Sequence, residues 1–126
     1  MRLTDIAGVF VGAGVGGALR YVLGGWMAER WGTSFPWHTF VINVGGAFLL
    51  GVLMAVTVER GMLSSSARLF LGVGVLGGFT TFSTLSYESI ALVEQGLFAQ
   101  GIFNMFGSAV LGMVAAVVGL FVGRAI

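Results

Sequence analysis

The sequence predicts an all-α membrane protein of four transmembrane helices with a broken third helix, and three observations lead there. The 126 residues are 57% hydrophobic and only 9% charged, too apolar for a soluble domain. The apolar residues fall into four long runs separated by short polar turns. Each run can cross about 30 Å of hydrocarbon at roughly 1.5 Å per residue, and the third is interrupted in its middle.

The first span is expected at about 4–28, and Arg20 is the only charge between Ile6 and Trp26. This run is too long and too glycine-rich for a signal-peptide core, so it reads as a retained span. Gly8, Gly12 and Gly16 recur on one helical face, the small-residue spacing that lets two helix backbones approach. Glu29, Arg30, Gly32, Thr33 and Ser34 read as a polar turn. Pro36 suits the first turn of the next helix, where a missing N–H costs nothing. Trp31 and Trp37 are placed as interfacial anchors.

The second span is expected at about 36–58, with His38 at its edge and Asn43 inside. The polar stretch from Glu59 to Arg68 closes it. A third span is expected at about 68–93, with a break near 77–83 inside the stretch GGFTTFSTLS, Gly77 to Ser86. Adjacent glycines followed by hydroxyl and β-branched residues continue a helix poorly, leaving main-chain groups unpaired. Hydrocarbon cannot satisfy such groups. Irregular backbone at membrane depth is tolerated only inside protein or along a polar cavity, so the break marks a binding site or pathway. After a turn at Glu94, Gln95 and Gly96, the fourth span is expected at about 97–123. It carries Asn104, Ser108 and small residues at 108, 112, 116, 119 and 123 that suit close packing. No repeat, soluble domain or long linker divides this single domain.

Composition excludes several function classes. Six scattered arginines and a net charge of +1 leave no basic footprint for nucleic acid. Without cysteine there is no disulfide framework or thiolate chemistry. No lysine, one edge histidine and isolated acids at 5, 29, 59, 88 and 94 supply no catalytic set, phosphate-binding loop or metal cluster. An enzyme is not expected. The polar groups at membrane depth are mostly neutral donors: Asn43, Thr80, Thr81, Ser83, Thr84, Ser86, Asn104 and Ser108, with the ring edges of Phe79 and Phe82. Such a lining favours a small anion, and half-helix N-termini add positive potential; carbonyls freed at Gly77 and Thr80 would instead suit a cation.

Several residues carry two readings. Arg20 either snorkels to the interface or raises the local anion concentration from a vestibule. Glu88, just past the break, is a capping or structural group, a proton carrier or a gate. Asn43, Phe82 and Ser108 line a path or pack between helices, and His38 is interfacial. Arg2, Arg60, Arg68 and Arg124 lie on the N-terminal side against Arg30 and Arg20, a modest bias toward a cytoplasmic N-terminus. Four helices leave little room to enclose a path, so self-association is expected.

The stretch GGFTTFSTLS, with Asn43 in the second span, Arg20 in GALRY of the first and Ser108 in the fourth, resembles the CrcB/Fluc fluoride channels over essentially the whole chain. The resemblance implies a passive fluoride-selective channel that exports the ion across a prokaryotic inner membrane. It implies a multi-pass, dual-topology antiparallel homodimer in contact with lipid, with two pores and a central structural sodium ion at the dimer interface. By the same resemblance, the sodium is held by the backbone carbonyls of Gly77 and Thr80. Asn43, Phe82, Leu85, Ser83, Thr84, Asn104 and Ser108 fall at the pore, with Arg20 and Glu88 in its vestibule. Leu85 stands where a second phenylalanine is usual, and Asn104 and Gly112 stand where an aromatic hydroxyl and a second serine are usual. Asn104 can still donate; Gly112 cannot.

Selectivity would follow from the donors themselves. Fluoride is small and strongly hydrated, so compact neutral donors replace its water without trapping it, while larger halides gain less. A small dual-topology multidrug transporter has a similar layout but needs an acid in its first helix, where this chain has Arg20. A structural membrane subunit would explain the glycine faces and leave the break without purpose.

Overall fold

Four helices account for nearly all of the chain in the computed structural model, which describes residues 1–126. They are α1 (Leu3–Trp31), α2 (Trp37–Glu59), α3 (Ser65–Glu94) and α4 (Phe98–Ala125), each long and apolar enough to cross a membrane, and there is no strand. Helix ends lie further into the polar turns than the charges suggest. Glu29 and Arg30 continue α1, because a basic residue suits the last turn and Arg30 stacks 5.0 Å from the Trp26 ring. Gly32 then ends the helix at φ 77, donating its N–H to Ala28 O. Ser65, Ser66 and Arg68 are helical too, because the Ser64 side chain caps α3 by accepting from the Ala67 N–H.

Glycine decides which helices touch. A Cβ on Gly12 would stand 2.6 Å from Phe70 O, and one on Gly16 would run into Val75 O and stand 2.8 Å from Phe79 N. Those glycines lay the backbone of α1 directly on the first half of α3 (residues 65–79). Gly8, on the same predicted face, has open space instead. A second seam joins α2 to α4: Gly51 meets Ala116, Gly119 meets Phe48, and a Cβ on Gly123 would lie 2.8 Å from Val52 O. Gly112, read from the sequence as one of the close-packing positions of the fourth span, faces open space. Between apolar lipid and apolar side chains such van der Waals contact is a main source of helix association.

Three stretches, Ala55–Glu59, Leu69–Leu76 and Phe103–Gly107, are wound as wide i→i+5 turns that no sequence signal announced. Within α3, Thr80 (φ −89, ψ 160) and Thr81 (φ −154, ψ 121) are extended, and helical geometry resumes at Phe82. The second half of α3 (Phe82–Glu94) packs on the beginning of α4.

One end of the bundle gathers both termini and the α2–α3 connection. There Arg124 meets Glu59 through two bonds of 2.7 and 2.8 Å, and Arg2 bonds Asp5 and Ser66. Arg60 donates to the carbonyls of Gly123 and Arg124 at the end of α4. These exposed pairs register the helix ends more than they stabilise them. Much of the apolar surface remains exposed, with Phe10, Phe82, Phe106 and Phe121 all facing outward.

The α1–α3 contact gives a direct expectation. Gly16→Ala forces two backbones apart and should destabilise the protein by about 1–3 kcal/mol, the cost of overpacking a tight contact. Gly8→Ala, with open space at the Cβ, should not destabilise it and can add up to about 1 kcal/mol. Thermal unfolding of purified protein in detergent checks both.

Candidate functional site

A two-residue interruption inside a membrane helix must find partners for its main-chain groups, and here Asn43 supplies them. In a continuous helix the Thr81 N–H would reach Gly77 O. It donates instead to Asn43 Oδ1 at 2.8 Å, while Asn43 Nδ2 donates to Thr81 O at 3.0 Å. One side chain on α2 thus takes both polar groups of one residue, as a neighbouring strand would. Thr81 is also the N-cap of the following half-helix: its Oγ1 accepts from the Thr84 N–H at 3.3 Å.

These diversions release two carbonyls. Gly77 O loses its helical donor to Asn43, and Thr80 O loses the Thr84 N–H to the Thr81 hydroxyl. Between them, Gly78 O accepts from Arg20 Nε at 3.2 Å. Arg20 therefore reaches inward to the carbonyl end of a half-helix, where a cation is favoured.

Beside the break lies a groove of about 360 Å³, lined by Asn43, Gly77, Thr80, Phe82, Leu85 and Ser108 among others. The Ser108 hydroxyl is buried there without a partner. Asn43 uses one of its two amide hydrogens on Thr81 and keeps the other. Other hydroxyls have spent their protons: Thr80 donates to Leu76 O and Ser86 to Phe82 O. Phe82 is 75% exposed and Leu85 buried, so the two line the groove from opposite states of burial.

Not every residue singled out in the sequence joins this groove. Asn104 is fully buried away from it and donates through Nδ2 to Ser89 Oγ at 3.0 Å, with its Oδ1 unpaired. An amide at membrane depth needs a partner, and Ser89 on α3 is within reach where the groove is not. Ser83 is exposed, 3.4 Å from the Thr81 hydroxyl. Thr84 lines a second cavity of about 270 Å³ with Arg20, Thr39 and His38.

The sequence profile of the family described as CrcB-like protein, Camphor Resistance (CrcB), matches residues 7–120. The chain belongs to the CrcB family. A Thermus thermophilus protein named fluoride-specific ion channel FluC is 47% identical over 118 residues, covering 94% of this chain and 92% of that one. Proteins of the same name from Chloroflexus aurantiacus and Agrobacterium fabrum are 43% and 39% identical, each over 122 residues and 97% of this chain, covering 97% and 98% of their own lengths.

In this CrcB-family chain, three contacts were not legible in the sequence. Ser89 links Asn104 to Leu85 O, to which its hydroxyl donates at 2.7 Å. A serine four residues past Leu85 could have signalled the back-bond, but not its partner on α4. Arg20 was read as interfacial or vestibular, with no hint of Gly78. His38, read as interfacial, lies with Nε2 3.3 Å from Glu88 Oε2.

Removing the Asn43 brace should expose its role. Asn43→Leu leaves two main-chain groups of Thr81 unpaired and should cost about 1–3 kcal/mol of stability. The Thr81 amide should lose protection from hydrogen exchange, while amides within α1 stay protected. Hydrogen-exchange NMR on the detergent-solubilised protein reads both.

Proposed function

We propose that the chain is a subunit of a passive, fluoride-selective channel that carries the ion outward across a bacterial inner membrane and relieves fluoride toxicity. The named relatives and the membrane-spanning helices support this reading together. The observation that carries it is the groove at the break, whose lining includes Asn43, with an amide hydrogen to spare, and Ser108, with an unpartnered hydroxyl, and no charged side chain.

The chemistry follows from those donors. A dehydrating fluoride gains compact O–H and N–H bonds, and the positively polarised edge of Phe82 adds a weaker contact. None is charged, so the ion is not trapped. Leu85 contributes shape alone, since an alkyl group has no polarised edge. Asn104 acts one layer behind, holding the second half of α3 through Ser89. Ser83 and Thr84 extend the polar surface past the break, their hydroxyls 3.4 and 3.1 Å from that of Thr81.

The exposed apolar faces suit lipid and leave room for a second copy. We place two copies antiparallel, with two pores, so that Phe82 and the released carbonyls of each face the other. The Gly77 and Thr80 carbonyls of both copies are the atoms that would hold a structural sodium ion, whose charge supplies a counterpart to four main-chain dipoles. Arg20 meanwhile occupies Gly78 O, so it fixes the carbonyl end of the first half of α3.

Release of fluoride and chloride from liposomes loaded with both potassium salts, read with a fluoride and a chloride electrode after a potassium ionophore is added, tests the reading. Wild-type protein should empty the vesicles of fluoride and retain chloride. Ser108→Ala should slow release roughly ten- to a hundredfold, the loss of one hydrogen bond to an ion. Chloride release at a comparable rate, or no fluoride release, would contradict it.

A further inference from the structure

Away from the groove, His38 in the first turn of α2 and Glu88 on the second half of α3 bring four polar atoms together without a short bond among them. The imidazole Nε2 lies 3.3 Å from Glu88 Oε2; His38 Nδ1 and Glu88 Oε1 are both buried without partners. A charge-assisted hydrogen bond between such groups closes to about 2.7–2.9 Å. Two ligands of one tetrahedral ion, each about 2.0–2.2 Å from it, stand about 3.4 Å apart. The separation here is that of atoms sharing an ion.

Charge points the same way. The arginine ion pairs of the chain are Arg2 with Asp5 and Arg124 with Glu59, and no arginine meets Glu88. A carboxylate with one oxygen buried and unbonded is costly until a cation meets it. A cavity of about 170 Å³ adjoins both side chains and is lined besides by Thr33, Ser34 and Gln95 of the connecting turns. An ion therefore arrives from the water at this end of the bundle, and the two side chains keep exposures of 26% and 19%.

We propose that His38 and Glu88 form a binding site for a late first-row divalent cation, zinc above all, which ties the start of α2 to the second half of α3. Imidazole nitrogen beside carboxylate oxygen suits zinc, copper and nickel, whereas magnesium and calcium take oxygen ligands. No third His, Asp or Glu joins the pair. The remaining positions fall to water and the polar groups of the turns, which zinc accepts because it imposes no geometry from its d-electrons. The site stands apart from the groove, and the proposal does not depend on the channel reading.

The chain has no cysteine and a single histidine, so one imidazole reports the site. Calorimetric titration of zinc chloride into the full chain in detergent, with any purification tag removed, should show one ion per chain. His38→Gln and Glu88→Gln should each weaken binding about tenfold or more, and magnesium chloride should not substitute. Zinc should also raise the melting temperature of the wild type and of neither variant, because only the folded chain brings the two side chains together. On the wild type itself, zinc should move the Nε2 resonance in ¹⁵N NMR, which keeps the test open where a variant fails to fold. No zinc binding, binding of equal strength in the wild type and both variants, or an imidazole spectrum that zinc leaves unmoved overturns the proposal.

Discussion

Main-chain polar groups cannot be left bare in hydrocarbon, and this constraint organises the site. Two extended residues in the middle of α3 would be untenable in a lone helix. They persist because Asn43, from a different span, bonds both the N–H and the C=O of Thr81. That one amide does two jobs: it makes the interruption stable, and its remaining hydrogen is a donor in the groove. The Thr81 hydroxyl restarts the helix by capping it, and Arg20 takes the Gly78 carbonyl. Satisfying some groups from side chains is what sets others, Gly77 O and Thr80 O, free.

Small residues make this arrangement possible. Asn43 can reach Thr81 only if α2 and α3 are close, and a Cβ on Gly46, one turn further, would meet the Thr80 side chain. Gly12 and Gly16 seat α1 on α3, which brings Arg20 to Gly78 one turn later. Gly12, Gly16, Gly51, Gly78 and Gly119 therefore stand where backbone meets backbone. Gly8 and Gly112, with open space beside them, face outward and are available to lipid or to a second copy.

How much of this could be read in the sequence depends on the range of the interaction. The four spans and their order were legible, because a long apolar run bounded by charges is a local signal. The Gly77–Ser86 stretch stood out for the same reason, as a run of poor helix formers. Helix ends were less legible: a Ser64 cap and an Arg30 stacked on Trp26 draw polar residues into helices that composition would assign to turns. Pairings across spans were not legible at all. Nothing near Asn104 says that its partner is Ser89, and nothing near His38 points to Glu88. Donor counting from residue types also misled, since Thr80 and Ser86 turn their hydroxyl hydrogens onto their own helix.

The central claim is that uncharged donors beside a braced interruption select a small, strongly hydrated anion. Its most direct test is the reversal potential of the purified protein in a planar bilayer with sodium fluoride on one side and sodium chloride on the other. The account predicts a potential set by the fluoride gradient, near the limit of a membrane impermeable to chloride and sodium. A potential near zero, or one that follows sodium, would contradict it.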